Sequence, residues 1–410
     1  MNTLLEKLYP YPFERLNMLL ADLSAPASLS NIPLSLGEPQ HTAPQFVIDQ
    51  FTDQAMLKQA FGTYPATQGL LELKETIARW LIGRFSLEQE SINAETQILP
   101  VNGTREALFA FAQAVIERSE GATVLLPNPF YQIYEGAAIL AGAEPRYLNC
   151  VDDQGFLPDF SSVPEETWSK CQLLYLCTPA NPSGSVIDLE TLQRLIALSD
   201  SYDFVIASDE CYSEIYMHEA DPPVGLLQAC SAMDRHSYKR CLVFNSLSKR
   251  SNLPGLRSGF VAGDEQLVAQ FLLYRTYHGS AMSIQNQTAS MLAWRDEEHV
   301  IQNRANYVAK FDAVLDIIGD HLDVERPSAG FYLWPRTSIP DEEFTRQLFQ
   351  QQNVTVLPGS YLSRQVDGVN PGSHRVRMAL VAPLDRCTDA ASRIVDFLES
   401  KFPRSELAEK

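Results

Sequence analysis

Five short apolar runs, ATVLLP, QLLYLC, FVIASDE, RCLVFNSLSK and RSGFVAG, recur through the middle of the chain, each bounded by turn residues. Runs of this length without strict polar alternation suit strands covered on both faces. Helical patterns lie between them. TREALFAFAQAVIERSEG follows Gly103, with Thr104 as the expected N-cap and Gly121 past the end, and DLETLQRLIALSDSY follows Ile187. Strands alternating with helices predict an α/β fold with a mostly parallel sheet and right-handed crossovers.

A chain of 410 residues exceeds the size at which a single core stops growing, so two domains are expected. The C-terminal part reads differently from the middle. A long helical stretch runs from about Thr288 to Leu322, followed by GFYLWP, a helix near EEFTRQLFQQQ, the strand-like NVTVLPG and RVRMALV, and a helix from about Asp385 to Lys401. This pattern describes a smaller α+β unit. The large domain is therefore placed at 45–290. The small domain takes 291–410 together with 1–44, a proline-rich opening that pattern alone assigns to neither.

Charge narrows the partners. A formal net charge of −19 opposes a nucleic-acid partner, which needs a basic face, and opposes attachment to an acidic membrane surface. No apolar run approaches eighteen residues, and the start carries Glu6 and Glu14 in place of an uninterrupted signal-peptide core. The seven cysteines include no CxxC pair, and several, such as Cys177, sit within strand-like runs. Buried free thiols in a reducing cytoplasm, with no structural metal, are the expectation.

Against that acidic background, SLSKRSNLPGLR (Ser246–Arg257) holds Lys249, Arg250 and Arg257 and no acid. An ordinary lysine, with a pKa near 10.4, is almost never a free amine at neutral pH; neighbouring cations and desolvation depress it into nucleophilic range. Arg250 and Arg257 are the expected cations. The stretch VNGTREAL opens a helix with glycine and threonine, exposing N–H groups that favour an anion. No GxGxxG occurs, so a Rossmann dinucleotide site is disfavoured. CTPANPSG fixes Asn181 in a loop at a strand's C-terminal edge, where open α/β sheets bind ligands. FVIASDECYSEIY runs a strand straight into Asp209, Glu210 and Tyr212. A carboxylate there needs a cationic partner, such as a ring nitrogen, or burial protonates it.

Taken in order, NGT, PANPSG, SDECY and SLSK with Arg257 resemble the fold-type-I, class I/II aminotransferase family. LGEP (Leu36–Pro39), YPATQG (Tyr64–Gly69), PSAGFYLW and the VRMAL around Arg377 extend the resemblance along the chain. It implies that pyridoxal 5′-phosphate is the cofactor and that Lys249 is the catalytic residue bonded to it. Asp209 would pair with the pyridinium nitrogen, Asn181 and Tyr212 would bond the ring's 3′-oxygen, and Tyr131 would stack on the ring. The phosphate would be held by the amides of Gly103, Thr104 and Arg105, by Ser246 and Ser248, and by Arg257. The resemblance further implies a homodimer in which Tyr64 reaches the phosphate of the neighbouring subunit. Arg377 would clamp the substrate carboxylate, helped by Gly37 and Asn181; strand period places Arg375 on the same face and does not separate the two.

LYPYPFERLNMLLADL near the start and NVTVLPGSYLSRQVDGVNPGSHRVRMALVAP near the end resemble the succinyldiaminopimelate branch of that family. The branch implies exchange of an amino group between glutamate and an N-succinylated diaminopimelate in lysine biosynthesis, with Arg364 a candidate for a further carboxylate or a solvated loop residue. Other readings keep the cofactor and change the reaction: an aromatic-, alanine- or aspartate-type transaminase, a decarboxylase or a C–S lyase. A reading of another class is a non-catalytic ligand-binding module on the same fold.

Overall fold

The computed structural model describes residues 1–119 and 121–401; Glu120, inside the expected first helix, and 402–410, at the end of the expected small domain, lie outside the described residues. In chain order the strands are β1 (Ile32–Pro33), β2 (Ile98–Val101), β3 (Thr123–Asn128), β4 (Glu144–Asn149), β5 (Cys171–Cys177), β6 (Val205–Asp209), β7 (Cys241–Ser246) and β8 (Gly259–Gly263). They continue with β9 (Tyr332–Leu333), β10 (Val354–Thr355), β11 (Leu357–Pro358) and β12 (Val376–Ala379).

Seven of these form one sheet in the order β2-β8-β7-β6-β5-β3-β4. Strands β3 to β7 pair in parallel, and β8 runs antiparallel to both its neighbours. The fold is α/β, with helices on both faces as such a sheet requires. Alternation along each strand divides the core in two. Leu174, Leu176, Ile206 and Val243 face one cluster, while Leu173, Tyr175, Ala207 and Leu242 face the other. A third cluster gathers the helices Glu298–Ile318, Asp341–Gln352 and Leu384–Lys401 over β1, β9, β10 and β12. The opening segment joins this unit, because β1 pairs in parallel with β10.

Topology decides where chemistry collects. The C-terminal ends of the parallel strands share one edge of the sheet, and an antiparallel strand starts at that edge. Asp209 ends β6, Ser246 ends β7 opposite Gly259, and Arg257 stands two residues before β8. Asn102 and Gly103 follow β2, and Asn181 follows β5. Asp209, Ser246, Arg257, Gly103 and Asn181 therefore converge on that edge.

Several local expectations are corrected. The helix after β2 spans Thr104–Val115, short of Gly121, because the backbone of Ile116 is already extended. Its cap is Gly103, at φ 86°, so Thr104 begins the helix and its hydroxyl is free to meet the Cys211 thiol at 2.9 Å. The stretch expected as one helix from Thr288 is two, Ile284–Arg295 and Glu298–Ile318, broken where Asp296 turns extended and accepts from the N–H of His299 at 3.1 Å. NVTVLPG divides at Val356 into β10 and β11. All seven cysteines are free and buried. No helix among the described residues is long and apolar enough to cross a membrane.

Arg250 does not serve as a cation beside Lys249. One step round the short helix Leu247–Arg250, it turns into the core, fully buried, with its guanidinium 4.8 Å from the Trp294 ring and 2.5 Å from the carboxylate of Glu297. Trp294 also packs on Trp80 and Phe260, at centroid distances of 4.7 and 5.2 Å. Trp294→Ala should therefore cost about 3–5 kcal/mol from the lost burial and cavity, and a fall in the denaturant midpoint of the purified protein measures it.

Candidate active site

The motif residues line a cavity of about 580 Å³ at the C-terminal edge of the sheet. Thr104, Arg105, Tyr131, Asn181, Asp209, Tyr212, Ser246, Ser248, Lys249, Arg257, Gly37 and Arg377 all reach it. Gly103 sits directly behind the wall: a Cβ there would stand 2.4 Å from Nη2 of Arg257. Its positive φ and this approach together explain glycine at that position. Tyr64 is outside the cavity and 99% exposed.

Asp209 is 5% exposed at the tip of β6. Burial pushes its carboxyl up, while donation from the Tyr134 hydroxyl at 2.6 Å and from the Cys211 N–H at 3.3 Å pulls it back down. Both donors are neutral, so the carboxylate has hydrogen bonds and no ion pair among the described residues. Tyr134 is held in turn by stacking on Tyr175, with centroids 4.7 Å apart.

Lys249 follows β7 and donates through Nζ to the carbonyl of Gly37 at 2.6 Å. Its pKa is lowered to about 8, chiefly by burial, with the positive charges of Arg377 and Arg257 adding to the effect. Arg377 thus takes the part expected of Arg250. Ser246 caps the lysine helix, its Oγ accepting from the Ser248 N–H at 3.0 Å and lying 2.9 Å from the Ser248 hydroxyl. Arg257, in the left-handed region at φ 52°, donates to the carbonyls of Pro254 and Asn102 at 2.8 and 3.2 Å.

On the opposite wall, β12 presents Arg377. Nη1 donates to the side-chain oxygen of Asn181 at 3.1 Å and Nη2 to the Ser35 carbonyl at 2.9 Å, while Nε is buried without a partner. The bond to Asn181 consumes that amide's oxygen and leaves its NH₂ for donation. Arg375 lies just outside β12 and is taken up by Asp152 and the Trp334 carbonyl. The structure separates the two arginines that strand period could not. On this wall Gly37 lies close under Tyr332: a Cβ there would stand 2.1 Å from the Tyr332 hydroxyl, so a larger residue would require that side chain to move.

Arg364 fits neither expectation. It makes a forked pair with the buried Glu135 at 2.8 and 2.6 Å and stacks 4.0 Å over Tyr9, outside the cavity. The cavity also holds residues that motif reading did not single out. Tyr332 shares a 2.9 Å hydrogen bond with Tyr212, and Tyr11 and Phe13 arrive from the opening segment. Arg105, expected through its amide, carries its side chain to the hydroxyls of Tyr131 and Tyr11 at 2.7 and 2.6 Å.

The family model of the class I and II aminotransferases matches residues 30–394. The chain belongs to that family. An aminotransferase from Neisseria meningitidis Z2491 shares 47% identity and a TM-score of 0.92, covering 97% of this chain and 100% of its own. Aminotransferase AspB from Helicobacter pylori 26695 shares 32% identity and a TM-score of 0.87, covering 96% and 99%. The LL-diaminopimelate aminotransferase of Nitratidesulfovibrio vulgaris strain Hildenborough is 28% identical over 394 residues, 95% of this chain and 97% of its own.

Class I and II aminotransferases depend on pyridoxal 5′-phosphate, and the donor set of this aminotransferase fits it. A buried carboxylate without a cation suits a protonated ring nitrogen. A depressed amine suits an aldehyde carbon, and the serine and helix N–H donors beside Arg257 suit a phosphate.

The lowered pKa of Lys249 has a measurable sign. Its free-amine fraction grows about tenfold per pH unit below the pKa and levels off above it. Covalent capture of pyridoxal phosphate by cofactor-free protein, read by visible absorbance, should therefore rise with pH and flatten above about 8. A rate still climbing steeply above pH 9 would contradict the assignment.

Proposed function

We propose that this aminotransferase exchanges the α-amino group between glutamate and 2-oxoglutarate on one side and N-succinyl-LL-2,6-diaminopimelate and its oxo acid on the other, in lysine biosynthesis. The observation that carries this reading is the cavity wall. The opening segment, which resembles the succinyldiaminopimelate branch, contributes Tyr11, Pro12 and Phe13 to a cavity of about 580 Å³. The cofactor takes part of that volume; the aromatic wall that Tyr11 and Phe13 add suits the extended arm of an acylated substrate. A second reading, the unacylated LL-diaminopimelate, is favoured by the name of the Nitratidesulfovibrio vulgaris relative.

Each residue then has a defined task. When bound, pyridoxal phosphate supplies an electron sink for the negative charge left when the substrate Cα loses its proton. Lys249 would hold the cofactor covalently and, once displaced by the substrate amine, take the Cα proton as a general base whose pKa of about 8 lies near working pH. Asp209, polarised by the Tyr134 hydroxyl, would keep the ring nitrogen protonated. Asn181 would donate its remaining amide protons, and Tyr212 its hydroxyl, to the ring's 3′-oxygen. Tyr131 would stack on the ring. Ser246, Ser248, Arg257 and the amides of Gly103, Thr104 and Arg105 would hold the phosphate. Arg377 would take the α-carboxylate through its unpartnered Nε and the neighbouring amine, with Gly37 and Asn181 beside it.

The same reading assigns a homodimer working in the cytoplasm, with the large unit near 45–290 carrying the cofactor. Tyr64 stands fully out of the surface, a setting suited to reaching across to the partner subunit's phosphate. Sedimentation should give a dimer; a fully active monomer would overturn this part.

Half-reactions of the cofactor-loaded enzyme, followed spectroscopically, test the function. Glutamate and N-succinyl-LL-2,6-diaminopimelate should each convert the cofactor, with one amino group transferred per oxo acid formed. Release of oxo acid without that stoichiometry points to a lyase, and faster conversion by LL-diaminopimelate favours the second reading. Lys249→Ala should lose at least about 10²–10⁴-fold in turnover through the missing proton transfer alone; survival of turnover would remove the lysine from its role.

A further inference from the structure

Glu106 places an acid in the first turn of the helix Thr104–Val115, at the end expected to hold a phosphate. Two anions at one helix N-terminus compete for the same positive pole. We propose that Glu106 and Arg275 act together as positioning residues of the phosphate site. Glu106 pins the loop before the helix, and Arg275 cancels its charge, which leaves the N-terminus open to a dianion. The proposal rests on the reading that this helix start holds the phosphate, and its test separates the two.

A closed circuit of hydrogen bonds carries it. The Asn102 N–H donates to Oε1 of Glu106 at 3.0 Å. The carboxylate reaches past Gly103, whose own N–H already donates to the Val101 carbonyl at 2.8 Å. Nη1 of Arg275 donates to both oxygens of Glu106, each at 2.7 Å. Nη2 of Arg275 and the side-chain amide of Asn102 both donate to the Ser280 carbonyl, at 2.7 and 2.8 Å. The circuit thus begins and ends at Asn102. That residue also offers its carbonyl to Nη2 of Arg257 at 3.2 Å, so the pinned loop orients the arginine expected to meet the phosphate.

Burial shows that charge is the purpose. Arg275 is fully buried in the last turn of the helix Glu265–His278, where a cation is favoured. Gly279 ends that helix at φ 79°, and Ser280 follows it. A fully buried guanidinium is kept where an opposite charge answers it, and Glu106 is that charge. Hydrogen bonding alone does not account for the arginine, because its Nε is buried without a partner. Apolar side chains would serve a plain strut between two helices as well. A neutralised pair leaves the dianion unopposed, whereas Glu106 alone would repel it from within the same helical turn.

Binding of pyridoxal phosphate and of pyridoxal, which lacks the phosphate, to cofactor-free protein tests it, read by visible absorbance. The preference for the phosphorylated form isolates what the phosphate site contributes. Arg275→Met should lower that preference about ten- to a hundredfold, the range of one unanswered charge nearby. Glu106→Gln keeps an acceptor for the Asn102 N–H and leaves a positive charge behind, so it should not lower the preference. The double variant carries neither charge and should return to within about threefold of wild type. If Arg275→Met does not fold, Glu106→Gln and the double variant carry the test. Equal weakening of both ligands, a loss of preference in Glu106→Gln, or a double variant that stays low overturns the proposal. Arg257→Gln tests the placement itself. If it leaves the preference intact, the phosphate lies elsewhere and both readings fall. If it lowers the preference while Arg275→Met does not, the placement stands and the role of Glu106 and Arg275 falls.

Discussion

The carboxylate of Asp209, buried at the tip of β6, is the group on which the rest of the site depends. Removing a carboxylate from water costs several kcal/mol unless positive charge and hydrogen bonds replace the lost hydration. The protein supplies two neutral donors, the Tyr134 hydroxyl and the Cys211 N–H, and these offset the cost only in part, since its pKa remains raised. A cationic group brought in by a ligand, such as a protonated ring nitrogen, would remove the shortfall. The pairing of Asp209 with Phe244 places the lysine helix, which begins three residues beyond Phe244, over the same cavity. Sheet register therefore sets the relation between acid and amine, and a one-residue slip would turn one of them to the opposite face.

Much of the large unit was legible because buried parallel strands announce themselves as short uninterrupted apolar runs, and all five such runs are strands of the central sheet. The two strands the runs did not reveal are informative. β4 is EPRYLN, half-exposed at the sheet edge and polar at alternate positions, and β2 is ILPV, short and interrupted by proline. Helix ends were less legible than helix existence. At Gly103 a threonine looked like the cap, yet only glycine can take φ 86° against the Arg257 guanidinium, so the cap moved back by one residue. Near Thr288 the apolar period continued across a break that a single extended residue, Asp296, creates.

Within the site, residues carried by local motifs converge on the cavity as expected, because each motif sits at a strand end and topology gathers the strand ends. Residues whose role arises only through long-range contact stayed silent. Tyr332 is 120 positions from the Tyr212 hydroxyl it touches, and Tyr11 is 94 positions from Arg105. The opening segment has neither strand nor helix period strong enough to place it; long-range contacts tie it down, among them the pairing of Ile32 with Val354, the bond from Arg105 to Tyr11 and the pair of Arg346 with Asp22. Arg364 illustrates the reverse error. A loop arginine near a predicted site invites an anion, but the buried Glu135 on a neighbouring helix takes its Nε–Nη2 edge and the Tyr9 and Phe130 rings stack on it.

The last constraint is electrostatic, since a chain of net charge −19 has to hold a dianionic phosphate and the carboxylate of an amino-acid substrate. Screening resolves the conflict over distance. Surface charges fall off within about 8–10 Å in physiological salt, while Arg105, Lys249, Arg257 and Arg377 share one cavity with the ligand. Inside, lower dielectric strengthens each nearby contact. Arg375 and Arg250, which lie close in sequence to the site, are removed from it by their pairs with Asp152 and Glu297. Of Arg105, Lys249, Arg250, Arg257, Arg375 and Arg377, those without an ion pair are the ones that face the cavity, so an acidic protein presents a local field of opposite sign to its own.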